Sequence, residues 1–399
     1  MYDLIAVGGG LAGAALGRAL AQRGRRVLVI EREARFRDRV RGEYLHAWGA
    51  AEAHALDLSD VLHAAGACAV PWLTVWVGGN PALRNDVRQT SAGGHSPHCL
   101  SHPAMQEAVL DAARAAGAEV LRPAAAVGVT PGARPAVAVR LEDGRLETHT
   151  ARLVVGADGR ESKLRGWAGF RVERDPEKLA LAGLLFDGYA GPEESGSLFW
   201  NFAEGEQALI FPQGRGRLRA YIGFHARGDT GRLSGRRRVP AFLAACEAAR
   251  VPAAWLANAV PVGPLAAFPG ADVYVRGPYR AGVALVGDAA SASDPTWGCG
   301  LSLTLRDVRV LRDALLASDD WDAAGRAYAR QHDDYYAHLR TLEAWFSTCF
   351  CDVGGEADAR RARILGRAAG EPDRIPDLVA QGPDAPSDEA ARRRFFAQD

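Results

Sequence analysis

Tyr2-Asp3-Leu4-Ile5-Ala6-Val7-Gly8-Gly9-Gly10-Leu11-Ala12-Gly13 opens the chain, and the order of its residue types decides the fold. Tyr2 to Val7 is a short apolar run, Gly8, Gly10 and Gly13 fit G-x-G-x-x-G, and Ala14 to Arg23 is helix-prone. Val27 to Ile30 is a second apolar strand that ends in Glu31, 23 positions after Gly8. Strand, glycine turn, helix, strand and terminal acid together make a dinucleotide-binding βαβ unit. Glycine without a Cβ lets the backbone turn tightly and approach a pyrophosphate, whose charge then faces the amides and positive end of the helix starting near Leu11. A carboxylate at Glu31 can accept the hydroxyls of an adenosine ribose.

Two later segments extend the pattern. Leu153-Val154-Val155-Gly156-Ala157-Asp158-Gly159 is an apolar strand running into a turn. Val283-Ala284-Leu285-Val286-Gly287-Asp288 is another, followed by Asp294-Pro295-Thr296-Trp297-Gly298-Cys299-Gly300-Leu301 and a helix to about Leu316. Each strand delivers an acid at its carboxyl end, where open α/β sheets bind ligands.

With these three signatures in order across residues 2 to 316, the chain resembles the single-component FAD-dependent monooxygenases related to para-hydroxybenzoate hydroxylase. The resemblance implies that Gly8, Gly10 and Gly13, with Leu11 and Ala12, hold the FAD pyrophosphate, and that Glu31, with Arg32 beside it, holds the adenosine ribose. It places Gly287 and Asp288 at the ribityl or pyrophosphate side, and Pro295, Gly298, Gly300 and Leu301 beside the isoalloxazine ring. Amides at the start of the helix near Gly300 would stabilise negative charge on the reduced ring. Asp158 and Arg165 belong to the family's Asp-Gly motif, associated with both FAD and nicotinamide use. Arg41 lies where the family often has an arginine near the flavin.

The residues themselves leave several of these positions open. Asp158 also suits a turn aspartate capping the next helix, and Arg41 a solvated arginine in the basic stretch from Arg35. Trp297 either packs into the fold or projects over the flavin toward substrate. His102, Ser291 and Cys299 depart from the family pattern, which usually has arginine, often histidine and commonly glutamine there. No catalytic acid or base stands out.

The activity implied is monooxygenation, as a hydroxylase or epoxidase acting on a small organic or natural-product substrate. NADH or NADPH reduces FAD, O2 adds to the flavin C4a, and the hydroperoxide transfers oxygen. A reductase or dehydrogenase of the same fold is the alternative. A halogenase is disfavoured because W-x-W-x-I-P is absent and no lysine precedes position 163, and a flavin-binding protein without turnover is the remaining class.

The expected architecture is an α/β, Rossmann-type FAD-binding domain of the glutathione-reductase-like kind with an inserted mixed β-sheet and C-terminal helices. Residues 1–70, 99–170 and 271–320 form the first domain, 71–98 and 171–270 the substrate domain, and 321–399 the helical region. Trp72 to Val77, Leu181 to Phe186, Ser197 to Phe202, Gln207 to Phe211 and Leu218 to Phe224 supply the inserted strands. Ala324, Tyr328, His332, Tyr335, Leu339, Leu342 and Phe346 recur at helical spacing and mark one buried stripe. The polar, Arg-rich stretch from Gly354 is expected to form short helical pieces with partial mobility.

Composition narrows the function. Basic and acidic residues balance at 48 each, so no basic field is available for nucleic acid. Lys163 and Lys178, the two lysines, both precede leucine, which excludes a P-loop. That scarcity reads as the codon usage of a high-GC bacterium and, with the resemblance, points to bacterial secondary metabolism. No apolar run approaches the ~18 residues of a membrane span, and a strand beginning at Tyr2 leaves no room for a leader, so a cytoplasmic protein is expected. The six cysteines lack a paired framework, which suits reduced thiols. His95, His98, Cys99 and His102 lack the second paired ligand set of a zinc site, and so do Cys349 and Cys351. No G-x-S-x-G elbow supports a hydrolase. Oligomeric state is left open.

Overall fold

Leu4 to Val7 are buried on both faces, Leu4 and Ala6 in a cluster with the helices and Ile5 and Val7 in one with Ala124, Val137 and Val139. In the computed structural model, which describes residues 1–40, 42–226 and 229–399, this strand, Tyr2–Val7, lies inside a sheet. The order is Tyr279–Arg280, Val283–Leu285, Leu146–Gly156, Tyr2–Val7, Val27–Ile30, Glu119–Leu121. All neighbours in it run parallel except the edge strand Tyr279–Arg280. Leu146–Gly156 is long enough to leave this sheet and pair antiparallel with Ala136–Leu141, which in turn pairs with Ala124–Thr130.

The helix Leu11–Ala21 is rich in alanine and glycine because it lies close on the sheet: a Cβ on Gly17 would come within 2.9 Å of Val29. The helices His102–Ala115 and Gly300–Ala317 pack against it, and Trp321–Phe350 packs along Gly300–Ala317. Every member of the expected stripe from Ala324 to Phe346 is buried, so the stripe is core.

The second sheet runs Val260–Pro261, Ala180–Asp187, Arg217–Phe224, Glu206–Gly214, Ser195–Asn201, Trp72–Val77, Asn80–Asp86. It is antiparallel except where Ser195–Asn201 lies parallel to Trp72–Val77, which joins two stretches distant in sequence. One face buries Phe186, Phe199, Phe224 and Phe242. The other faces the first sheet's carboxyl edge across a cavity.

Arg165 links the pieces at that edge. Its buried guanidinium donates to the carbonyls of Ala289 (2.7 Å), Asp288 and Arg160 (3.1 Å), tying the turn after Leu146–Gly156 to the turn after Val283–Leu285. The last stretch departs from the expected mobility. Gly355–Ala368, Leu378–Gln381 and Glu389–Phe395 are helical, and buried Phe395 packs against Trp345 and Phe346 at ring-centroid distances of 5.9 and 5.7 Å. Aromatic residues close to the terminus override the polar composition, because burying a ring outweighs the cost of ordering a few surface residues.

Phe395→Ala is accordingly expected to cost about 3–5 kcal/mol in denaturant unfolding, whereas exposed Arg393→Ala stays within about 0.5 kcal/mol. Equal small effects would mean that the terminal segment does not contribute to the core.

Candidate functional site

A cavity of about 1460 Å³ is lined by the glycine turn, the two acid-bearing turns, the second sheet and the terminal segment. The glycines are there because nothing else fits. Gly8 has φ +109, and a Cβ on it would lie 2.2 Å from the Ala157 carbonyl oxygen. A Cβ on Gly13 would lie 1.9 Å from the Gly8 oxygen, and one on Gly10 would lie 3.0 Å from the Gln106 side chain. The turn therefore presses strand and helix together and presents bare backbone to the cavity beside Leu11 and Ala12.

Glu31 is buried at the end of the second strand. Its Oε2 accepts from the Gly9 amide at 2.8 Å and its Oε1 from the Glu33 amide at 2.7 Å, so the carboxylate is aligned by the loop it faces. Arg32 is largely exposed and lies 3.7 Å from Glu33. Asp158 takes the capping role on one oxygen: Oδ2 accepts from the amides of Lys163 (2.8 Å) and Leu164 (3.2 Å). Its Oδ1 is buried without a partner on the same cavity wall.

Asp288 lines the cavity on a turn held from behind. Gly287 has φ +60, and its amide donates to Asp307 Oδ2 at 2.7 Å. Asp307 also accepts from Tyr335 at 2.5 Å, with the His332 ring 4.0 Å away. Burial pushes Asp307 up to about 6, against the pull of His332. Farther on, Asp294 accepts from the Thr296 amide at 2.9 Å and sets the Pro295–Trp297 turn. Gly298 at φ +70 then releases the chain into the helix that begins at Gly300. Pro295, Gly298, Gly300 and Leu301 all line the cavity, and the hydroxyls of Ser293 and Thr296 beside them are buried without partners. A glycine cradle, a helix start and orphaned polar atoms along one wall suit a dinucleotide.

Trp297 packs into the fold and also borders the cavity. Its Nε1 donates to Ser347 at 3.1 Å and its ring packs on Phe346 and Trp200 at 5.5 and 6.1 Å, yet it also lines the cavity. Arg41 lies outside the described residues. His102 Nδ1 is 2.9 Å from the Gly42 oxygen, Ser291 is 3.2 Å from His332, and Cys299 is buried. His98 pairs with His63 at 3.1 Å, and among the described residues no group of three or more His, Cys, Asp or Glu side chains is placed to hold a metal.

Several lining residues escaped the sequence reading. Glu43 is buried, accepts from the Tyr221 hydroxyl, and lies 3.3 Å from Arg219 Nε, while Arg219 donates to Asp38 at 2.6 Å. Burial pushes Glu43 up to about 7, against Arg219 and Tyr221. His46 donates from Nε2 to the Trp297 carbonyl at 3.0 Å, and burial pushes its ring down to about 4, so it is neutral. The acid in Arg41-Gly42-Glu43-Tyr44-Leu45 sits directly before an apolar pair, which was the available signal.

A family model described as FAD binding domain matches residues 1–345. The chain belongs to this family. It is an FAD-dependent oxidoreductase. The ubiquinone hydroxylase UbiL of Rhodospirillum rubrum is 30% identical over 332 residues, covering 79% of this chain and 72% of that protein. The digeranylgeranylglycerophospholipid reductase of Methanosarcina acetivorans is 26% identical over 318 residues, covering 75% and 72%. Among solved structures, p-nitrophenol 4-monooxygenase from Pseudomonas putida shares the fold with a TM-score of 0.82 at 18% identity, over 96% of this chain and 98% of that one. Among the described residues of this FAD-binding chain, no helix is long and apolar enough to cross a membrane.

Glu43 gives the site a pH signature. Its acid form is favoured in the folded chain, so its contribution to stability is full below about 4.5 and is lost as pH rises through about 7. The melting temperature of wild type minus that of Glu43→Gln is therefore expected to fall across this interval. A difference that stays flat in differential scanning calorimetry would contradict the buried carboxylate.

Proposed function

We propose that the protein is an NADH- or NADPH-dependent monooxygenase that inserts oxygen into a small organic substrate. The observation that carries this reading is the continuity of the cavity from the glycine turn, past Asp288 and Gly300, to a chamber walled by Leu198, Trp200, Phe211 and Phe350. An oxygen-transferring site needs cofactor and substrate in one enclosure from which water is excluded, and a chamber lined by rings and aliphatic chains excludes it.

When bound, FAD supplies the two-electron chemistry: it takes hydride from the nicotinamide and passes the electrons to O2. The chain's own residues hold and shield it. In this reading, Gly10, Leu11 and Ala12 offer the pyrophosphate their amides on a turn that Gly8 and Gly13 make possible, Glu31 receives the adenosine ribose with Arg32 at the rim, and Asp158 contributes its free Oδ1. Gly287 and Asp288 face the ribityl side. Pro295, Gly298, Gly300 and Leu301 border the ring, where the helix start favours negative charge. Arg41 is kept as a flavin neighbour on the family resemblance alone. His46, neutral and donating to the Trp297 carbonyl, holds the turn over which the ring would lie.

The division into an FAD-binding domain, an inserted substrate domain and a C-terminal helical region is part of the same proposal, as is a cytoplasmic place in bacterial secondary metabolism. A reductase of the same fold is the second reading, favoured by relatives named as reductases. Relatives named as a hydroxylase and an epoxidase favour the first.

The purified protein is expected to release FAD, not FMN, on denaturation, and its product to carry oxygen from labelled O2. Substrate turnover without label would establish the reductase. Asp288→Ala should weaken FAD binding by about tenfold or more, the weight of a hydrogen bond to a charged group, with little loss of thermal stability. Trp297→Ala should keep FAD and raise the hydrogen peroxide released per NAD(P)H oxidised, because the chamber wall then admits water. Unchanged coupling would remove Trp297 from the chamber.

A further inference from the structure

We infer that the sheet side of this cavity takes a neutral, elongated, largely apolar substrate, longer than a single ring, whose hydroxyl group reaches Tyr221. The inference rests on the reading of the cavity as a reaction chamber and names its substrate class.

Length comes from the wall. Leu83, Val75, Leu198, Leu209, Tyr221 and Leu181 line the cavity from six neighbouring strands of the second sheet. At ~4.8 Å between strands, that wall is about 24 Å across. The volume of about 1460 Å³ exceeds the ~300–1,000 Å³ of pockets that hold one ligand. There is room for a second molecule beside a dinucleotide. The facing wall is apolar as well, with Phe346 and Phe350 from the long helix and Ile375 and Leu378 from the terminal segment.

Charge comes from where the cations are. Arg32, Arg37, Arg39, Arg160 and Lys163 line the cavity from the exit of the second strand and the Asp158 turn, which is the glycine-turn side. Arg394, on the terminal segment, is paired with Asp373 at 2.7 Å. Among the described residues, no lysine or arginine of the second sheet lines the cavity. Arg219 lies on that sheet but does not line the cavity, and it is paired with Asp38 at 2.6 Å. A carboxylate or phosphate buried against this wall would meet no counter-charge, which is costly.

The hydroxyl comes from Tyr221. With Glu43 ionised, the Tyr221 proton is committed to it, so the oxygen of this cavity-lining residue is left as an acceptor. Leu209 lies opposite it in register, with Gln207 and Phe211 on the same strand face. Gln207 Nε2 and the Tyr44 hydroxyl are buried, unpartnered and also on the cavity wall. Polar groups in an otherwise apolar wall are where a substrate oxygen is read.

The test is calorimetric titration of the FAD-loaded protein at about pH 8, above the Glu43 transition, with 4-phenylphenol, biphenyl-4-carboxylate and phenol. 4-Phenylphenol is expected to bind about tenfold or more tighter than either of the others. Tyr221→Phe should weaken 4-phenylphenol binding about tenfold while the weak binding of biphenyl-4-carboxylate and the FAD content stay the same. A carboxylate that binds as well as the phenol would overturn the neutral class, and phenol binding as well as 4-phenylphenol would overturn the length. The wild-type ranking decides both points whether or not the variant folds. Undiminished 4-phenylphenol binding by a folded Tyr221→Phe would overturn the role of Tyr221. These outcomes are separate from oxygen insertion: 4-phenylphenol bound as expected, with no labelled oxygen in any product, would sink the monooxygenase reading alone.

Discussion

The Gly8 carbonyl occupies the space where a Cβ of Gly13 would stand, 1.9 Å away, and the first strand and first helix can meet only on that condition. The same crowding recurs on the other side, where Gly8 backs onto the Ala157 carbonyl at 2.2 Å from an added Cβ. The Gly8 amide meanwhile donates to Ile30, and the Ala157 amide to Val7. Three parallel strands are thus brought to a common carboxyl edge by contacts between backbones, with no side chains between them. Arg165 extends the edge to a fourth strand by donating to the carbonyls of Ala289 and Asp288. Everything that faces the cavity from this sheet is hung on that edge.

The glycine-turn side of the cavity is legible in the sequence because its requirements are local. A glycine turn, an acid at a strand end and a glycine before a helix each impose a residue type at a fixed offset, so Gly8, Gly13, Glu31, Asp288 and Gly300 can be read from the chain alone. The second-sheet side is not, because Glu43 and Tyr221 are far apart in sequence and joined only by the fold. The terminal segment misled for a related reason. Its arginines and acids describe its outer face, whereas Phe395 and Leu378, which decide where it lies, are few among them. Asp158 caps the next helix through Oδ2, and its Oδ1 is buried without a partner.

Buried carboxylates recur around the cavity with little net charge. Glu43 is set against Arg219, Asp307 between a backbone amide, Tyr335 and His332, and Asp272 on Tyr336, with burial pushing Asp272 up to about 6. Such groups stabilise a fold poorly, since desolvation takes back most of the attraction. Their worth is directional. Asp307 holds Gly287 in a left-handed turn beside cavity-lining Asp288, and Glu43 fixes the hydroxyl of Tyr221 on the cavity wall.

The parallel pairing of Trp72–Val77 with Ser195–Asn201 bears on how the chain is made. The hairpin Trp72–Asp86 emerges early, but its inner edge finds no partner until Ser195–Asn201 has been synthesised and the intervening first-sheet strands have passed. Non-local pairing of this kind is slow, and an unpaired strand edge in the interval is open to pairing with another chain. The same junction that makes a broad chamber wall also makes its completion one of the late events of folding. Synthesis of this protein therefore depends on keeping that early hairpin shielded until its partner arrives.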